Sequence, residues 1–391
     1  MILPLVKLFG IYVILIQNKA LQMNSNLFFL NCKSASRFAG FMLIFVLLPV
    51  YLTIAEEGSH PAEFLSLGVG ARALGMGGMF VSIANDATAA YWNPAGLTEA
   101  GNHAFSTMYS DSFRSSQGGF LNKGLVQYSF INYVLQIEDI GSVGVSWIRL
   151  GVDEIPRTTF IDVNGDGELG SFQDKNANGE KDPGEFYIDR PTVAEYFNNA
   201  DNAILFSYAK IINANLSVGG NLKILRQTIF QNSGNGFGTD LGMIFQPINN
   251  LRLGLMIQDA TGTQIAWDTG SNPTFTRKTR LRIGGSYGFS ISKIGHLTCG
   301  IDAESRQADL KSDQSNDILV YYGSELWLFK LVALRIGGRG GKISSGAGFR
   351  LKFQEAQVFA DYAFKSHDLG SSQRISVSGS FYRGKTCRNK H

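Results

Sequence analysis

From His103 to near the C-terminus, apolar side chains recur at every second position in runs of about 8–14 residues. Leu216, Val218, Gly220, Leu222 and Ile224 interleave with Ser217, Gly219, Asn221 and Lys223. Leu281, Ile283, Gly285, Tyr287, Phe289 and Ile291 interleave with Arg280, Arg282, Gly284, Ser286, Gly288 and Ser290. Each run therefore has one apolar face and one polar or small face, the signature of a half-buried strand. A soluble sandwich alternates too, but its strands cluster near about five or six residues. Runs near ten residues suit a tilted strand that crosses a hydrocarbon layer.

Fourteen runs can be placed, near 104–111, 124–134, 141–150, 201–211, 215–229, 236–246, 251–259, 277–290, 295–304, 317–328, 331–339, 345–353, 356–364 and 373–382. Connections after even-numbered runs are tight, such as Ile212–Ala214 and Gln354-Glu355. Those after odd-numbered runs include Ser112–Lys123, Gly151–Ala200, Ala260–Thr276 and Ser305–Asn316. Short turns on one rim and long loops on the other predict an all-β, transmembrane, antiparallel up-and-down β-barrel of about 14 strands, long loops outside. Aromatic residues at run ends (Tyr109, Tyr208, Phe245, Tyr287, Tyr362, Phe381) suit interfacial girdles. Glycines inside the runs leave room for an inserted plug.

One stretch breaks the period. From Gly68 to Leu97, small and large apolar residues mix without alternation. Asp86 can cap a short helix over Ala87–Trp92, which stops at Asn93 because Pro94 pushes its predecessor out of the α region. Asn93 and Pro94 then read as N-cap and first position of a second short helix, reaching about Ala100. A small helical element ahead of a long β chain predicts an N-terminal plug segment over 56–102, with the barrel over 103–382 and an extracellular insertion over 151–200.

Within this stretch, Gly70-Ala71-Arg72-Ala73-Leu74-Gly75-Met76-Gly77-Gly78 and Asn85 through Leu97, ending Trp92-Asn93-Pro94-Ala95-Gly96-Leu97, resemble the N-terminal signature of the PorV/PorQ family. Those are outer-membrane barrels similar to FadL-type transporters, and the resemblance extends over roughly residues 60–382. Gly70, Arg72, Gly75, Gly77, Gly78, Asp86, Trp92, Asn93 and Pro94 are the positions expected to seat the plug in the lumen.

The first 55 residues carry four basic residues, Lys7, Lys19, Lys33 and Arg37, and no acid. The apolar run Phe38–Ile54, a small-x-small site at Thr53-Ile54-Ala55 and the following Glu56-Glu57 read as a secretory signal peptide cleaved after Ala55. The earlier run Leu3–Ile16 reads as translated leader, with Met23 the true start. A pair of membrane helices is the alternative, but both runs fall short of the ~20 residues such a span needs. Cleavage leaves a net charge of about −1, which argues against nucleic acid as a partner. A basic tail follows at 383–391. Only Cys299 and Cys387 remain beyond the leader, too few and too ill-placed for a disulfide framework.

The insertion carries the sharpest motif. Asp174-Lys175-Asn176-Ala177-Asn178-Gly179-Glu180-Lys181-Asp182-Pro183-Gly184-Glu185 satisfies the spacing of a calcium loop in full. Asp174, Asn176, Asn178 and Asp182 supply side-chain oxygens, Glu180 its carbonyl, and Glu185 a closing bidentate carboxylate. Asp162, Asn164, Asp166 and Glu168 begin the same pattern, but Gln173 stands where the closing carboxylate belongs. Structural Ca2+ at the surface is therefore expected; a solvated acidic loop is the plainer alternative. Gly284-Gly285-Ser286-Tyr287-Gly288 matches a hydrolase pattern but sits in mid-strand, where no strand-to-helix elbow forms. The five histidines lack ligand spacing. The chain reads as no enzyme.

Three functions remain open. The PorV/PorQ resemblance implies help in type IX secretion, with secretion-system components or cargo proteins as partners. The FadL-type similarity implies transport of hydrophobic small molecules past the plug. A secreted calcium-binding β-sandwich or adhesin is the third. Both barrel readings put the protein in outer-membrane lipid of a Gram-negative-type bacterium.

Overall fold

The computed structural model describes residues 61–112, 126–177, 179–291, 294–306, 317–367 and 370–382. The leader over 1–55, Asn178, Cys387 and the basic tail lie outside the described residues. The strands are β1 (His103–Ser112), β2 (Val126–Ile137), β3 (Gly141–Ile161), β4 (Arg190–Asn213), β5 (Leu216–Ile229), β6 (Asn232–Ile248), β7 (Leu251–Gln258), β8 (Thr263–Trp267), β9 (Thr274–Arg277), β10 (Arg280–Ile291), β11 (Gly295–Arg306), β12 (Asp317–Leu328), β13 (Val332–Arg339), β14 (Lys342–Lys352), β15 (Ala356–His367) and β16 (Gly370–Phe381).

Every pairing is antiparallel and, apart from the β8–β9 hairpin, neighbours in sequence are neighbours in space. β1 pairs with β16 from His103↔Phe381 to Asp111↔Gln373, and β7 pairs with β10, which closes a 14-strand barrel. Closure leaves no exposed edge in the lipid layer, where unpaired backbone groups are too costly. Alternation does the sorting. Ile131, Val145, Ile204, Phe206 and Ile224 are exposed on the outer face, while Phe130, Asn132, Ser146, Leu205 and Leu225 are buried. Tyr109, Tyr208, Phe245, Tyr287, Tyr362 and Phe381 all face outward.

The long-loop rim differs in detail from expectation. The insertion over 151–200 is mostly strand: β3 and β4 run on past the barrel as a two-stranded ribbon, register shifts included, and only 162–189 forms its tip. The connection over 260–276 contains β8 and β9, with β8 paired to β6. Three odd-numbered connections are tight, leaving only 230–231 between β5 and β6, 340–341 between β13 and β14 and 368–369 between β15 and β16. The opposite rim carries short turns, as expected.

Inside the ring lies the chain from Pro61 to Asn102. It contains helix α1 (Ala71–Gly75), helix α2 (Ala89–Trp92) and 3-10 turns at Glu63–Ser66 and Pro94–Glu99. The helix expected from Ala87 starts at Ala89, with Thr88 at its flank. The Asp86 carboxylate does its capping one step early, accepting from the Thr88 N–H at 2.9 Å. The second helix is a 3-10 turn, with Asn93 accepting from the Ala95 N–H at 3.2 Å. Val69, Met76, Met79, Phe80, Trp92 and Leu97 are buried in the lumen and form the centre of the apolar core.

Candidate functional site

The plug runs the length of the lumen. Its C-terminal end meets the short-turn rim, where the Asn102 N–H donates to the Phe381 carbonyl at 3.0 Å. Its first described residues reach the long-loop end, beside Arg277 of β9 and Arg280 of β10. Arg277 holds the Ala62 and Pro61 carbonyls and, at 3.0 Å, the Ser66 hydroxyl. Arg374 Nη1 donates to the carbonyls of Leu67 and Gly68 at 3.1 and 3.0 Å. These carbonyls belong to backbone that is neither helix nor sheet, so the wall guanidiniums meet hydrogen-bond demands that water meets elsewhere.

At mid-height an alternating chain of charges joins plug to wall. Arg72 on α1 donates from Nε and Nη2 to both oxygens of Glu325, each at 2.9 Å, and from Nη1 to Asp86 at 2.9 Å. Glu325 also accepts from Arg335 Nε at 2.7 Å, and Arg335 Nη1 reaches Asp361 at 2.7 Å. Beside it, Arg282 pairs with Asp302 at 2.9 Å, binds the Gly78 carbonyl and lies 3.7 Å from the Tyr321 ring centroid. Asp302 accepts in turn from the N–H groups of Phe80 and Val81, at 2.9 and 3.2 Å. Charges this deep persist only when paired and hydrogen-bonded, and here one partner in each set is the plug. A third buried set, Asp240, Lys223, Asp259 and Arg277, runs from the wall of β5 and β6 to the start of the plug.

Near the short-turn rim, Arg252 Nε donates to the Ser82 carbonyl at 2.9 Å and its Nη1 to Glu99 at 2.7 Å. Asn93 Nδ2 bridges the Val81 and Met243 carbonyls at 2.9 and 3.0 Å, and Asn221 Nδ2 holds the Ala90 carbonyl at 2.7 Å. Trp92 donates to the Val69 carbonyl at 2.9 Å, tying the two ends of the plug together. Wall glycines mark where backbone meets backbone. A Cβ on Gly254 would lie 2.7 Å from the Val81 carbonyl carbon, and one on Gly219 2.6 Å from Pro94 and Ala95.

The structure thus places Gly70, Arg72, Gly75, Gly77, Gly78, Asp86, Trp92, Asn93 and Pro94 together in the plug and its contacts. The wall partners Glu325, Arg335, Arg282, Asp302, Arg374 and Arg277 escaped sequence reasoning. Alternation put them on a polar face, but their pairing depends on register. Two cavities between plug and wall have volumes of about 30 and about 10 Å3. The larger has room for a water or two, the smaller for one at most.

The calcium motif lies at the ribbon tip, far from the plug in sequence and fold. The Asp174 carboxylate accepts from the Gly179 N–H at 2.8 Å, and Gly179 takes φ 79° as the turn requires. The Glu185 carboxylate, 5% exposed, accepts from the N–H groups of Lys175 and Asp182 at 2.8 and 2.9 Å, and Asn176 donates to Asp182 at 2.6 Å. The weaker motif folds alike at its start, with Asp162 accepting from the Gly167 N–H at 2.9 Å. The Glu168 N–H, the Ser171 hydroxyl and the Asn164 amide hold the Asp166 carboxyl below its usual range. Among the described residues, no three acidic, histidine or cysteine side chains converge on one point. The oxygen-only donor set fits calcium chemistry; the carboxylates here are occupied by loop N–H groups.

No family model matches the sequence, and no curated protein matches it. Among solved structures the chain is similar to the Ralstonia pickettii toluene transporter TbuX, at TM-score 0.46 and 12% identity over 81% of this chain and 99% of that one. It is similar to the Pseudomonas putida toluene transporter TodX at TM-score 0.46 and 11% identity, over 80% and 97%. Its likeness to the CymD monoaromatic hydrocarbon channel has TM-score 0.51 and 14% identity, covers 84% of this chain and 100% of that one, and shows a shared barrel architecture.

Proposed function

We propose that this chain is an outer-membrane barrel of a Gram-negative-type bacterium that passes small hydrophobic molecules, without enzymatic activity. The observation that carries this reading is the apolar luminal core. Where a general pore holds water, Met76, Met79, Phe80, Trp92 and Leu97 fill the lumen. An apolar solute partitions into such a core; a hydrated one does not. The likeness to CymD, itself named a monoaromatic hydrocarbon channel, supports the same reading. The two cavities of about 30 and 10 Å3 between plug and wall do not admit an aromatic ring, so a solute passing through either requires the plug to shift. The test is entry of an uncharged fluorescent aromatic, N-phenylnaphthylamine, into cells with an intact outer leaflet. Cells that make the protein should take it up faster than cells that lack it. Equal rates would contradict the proposal.

A second reading is favoured by the N-terminal signature and by the β3–β4 ribbon. A filled barrel that raises a ribbon outside the membrane suits a PorV/PorQ-type partner of secretion components or cargo. Equal uptake combined with loss of surface proteins on deletion would favour it.

We also propose that the loop from Asp174 to Glu185 binds structural Ca2+ at the ribbon tip. Removing Asp174 and Glu185 together takes away the turn-forming and closing carboxylates. Chelator should open cleavage by added protease between about Thr159 and Arg190 in the wild type. The Asp174→Ala, Glu185→Ala variant should be cut there with or without calcium. Identical protection of the wild type in both conditions would sink the idea.

A further inference from the structure

The plug is not held evenly. Buried charged side chains stand on β5, β6, β10, β11, β12, β13, β15 and β16, and the plug is bonded to many of them. On β1–β4, no buried side chain among the described residues is charged. Asp201 of β4 is half-buried, above the buried rows of the wall. The inner face of β1–β4 has two tiers instead. Toward the long loops the row Met108, Phe130, Ile148 and Ala203 is apolar, with Ser110 and the Tyr128 hydroxyl above it. The rows below it carry the hydroxyls of Ser106, Ser142, Ser146 and Ser207 and the Asn132 amide, set among Leu205 and Val134.

That lower tier is short of hydrogen bonds. Ser106, Ser142 and Ser207 are each buried, and their hydroxyls have no partner among the described residues. The Asn132 carbonyl oxygen also lacks one, while its amide donates to Ser146 at 2.6 Å. Ser106 stands opposite Asn132 and Asn132 opposite Ser146; Ser207 faces Gly144, between Ser142 and Ser146. The orphan atoms form one continuous patch. Buried polar atoms without partners are rare in folded proteins and call for an explanation.

Resting on the proposed function, we infer that the permeant passes between the plug and the inner wall of β1–β4, and that it is an uncharged molecule with an apolar body and one hydroxyl or carbonyl. The plug separates on this side because no ion pair must break there. On the other flanks each parting would strand a buried charge. The apolar tier takes the body of the solute, and the orphan hydroxyls and amide take its single polar group. The side chains of β1–β4 offer a carboxylate no buried cation. Arg374 of β16, 5.5 Å from the Tyr128 ring centroid at the edge of this face, is already engaged by the Leu67 and Gly68 carbonyls. An anion would therefore lose its hydration uncompensated.

Two aromatic probes of similar size separate the cases: 2-naphthol, uncharged at neutral pH, and 2-naphthoate, an anion. In porin-deficient cells, the protein should accelerate uptake of 2-naphthol and leave 2-naphthoate at the rate of cells without the protein. Ser142→Phe with Ser207→Phe should return 2-naphthol to that rate. A disulfide from Thr98→Cys with Ser217→Cys, whose oxygens are 3.3 Å apart on the β5 side, should leave 2-naphthol uptake unchanged. Should the phenylalanine pair fail to fold, Ser207→Cys in a Cys299→Ser, Cys387→Ser background reads the route directly. Its thiol should react with neutral N-ethylmaleimide and be protected by 2-naphthol. Equal acceleration of both probes, or no reaction at that thiol, overturns this inference and leaves the proposed function standing. Acceleration of neither probe overturns both.

Discussion

Glu325→Ala is expected to release the plug from the wall while leaving the barrel strands paired. Glu325 is 2% exposed and accepts from two guanidiniums, Arg72 on the plug and Arg335 on β13. With the carboxylate gone, Arg72 retains Asp86 and Asn85, which belong to the plug, and Arg335 retains Asp361, which belongs to the wall. The charge chain is cut where plug meets barrel. Breaking a buried pair by removing one partner costs about 3–5 kcal/mol, mostly the burden of the charge left behind. Added protease should then cut between Pro61 and Asn102 in folded barrels, and the heat needed to shift gel mobility should fall. Glu325→Gln keeps the shape and should fall between. Wild-type resistance to protease in Glu325→Ala would mean that the ion pairs do not hold the plug.

A larger effect is expected from Gly77→Leu with Gly78→Leu. Gly77 lies at φ 71° and Gly78 at φ 84°, conformations that L side chains adopt at a cost of roughly 1–2 kcal/mol each. Space decides the rest. A Cβ on Gly77 would sit 2.8 Å from the Gly338 carbonyl oxygen and closer still to its N–H, with barrel backbone on that side. Backbone in a closed ladder cannot give way, so the plug must leave or the barrel must fail to close. Export to the periplasm should continue while folded barrel in the outer membrane falls close to zero. Gly341→Ala is the comparison: its φ is 79° and nothing lies within 4 Å of the added Cβ, so it isolates backbone strain and should cost little. Normal assembly of the double variant would contradict the close fit of plug to wall.

The barrel was legible because lipid on one side and plug on the other impose alternation on every strand that crosses. Where that pressure ends, so does the signal. Residues 151–161 and 190–200 project into water on both faces, so Glu154, Pro156 and Arg157 show no apolar period and read as loop. β8 and β9, five and four residues long, are too short to establish a period at all. The plug was legible for the opposite reason, as the one apolar stretch without a period, and Asn93-Pro94 fixed its second turn through local backbone chemistry. The charged lumen was not legible. Lys223 and Arg282 stand out as polar-face residues, yet only strand register brings Lys223 to Asp240 and Arg282 to Asp302.

Held inside a closed barrel by paired charges, the N-terminal segment should keep ions from passing. Electrical recording of the purified protein in a planar bilayer tests this most directly. The wild type is predicted to show no steady ion conductance, and Glu325→Ala to show discrete openings as the plug comes free. A steady conductance of the wild type, equal to that of the variant, would contradict the account.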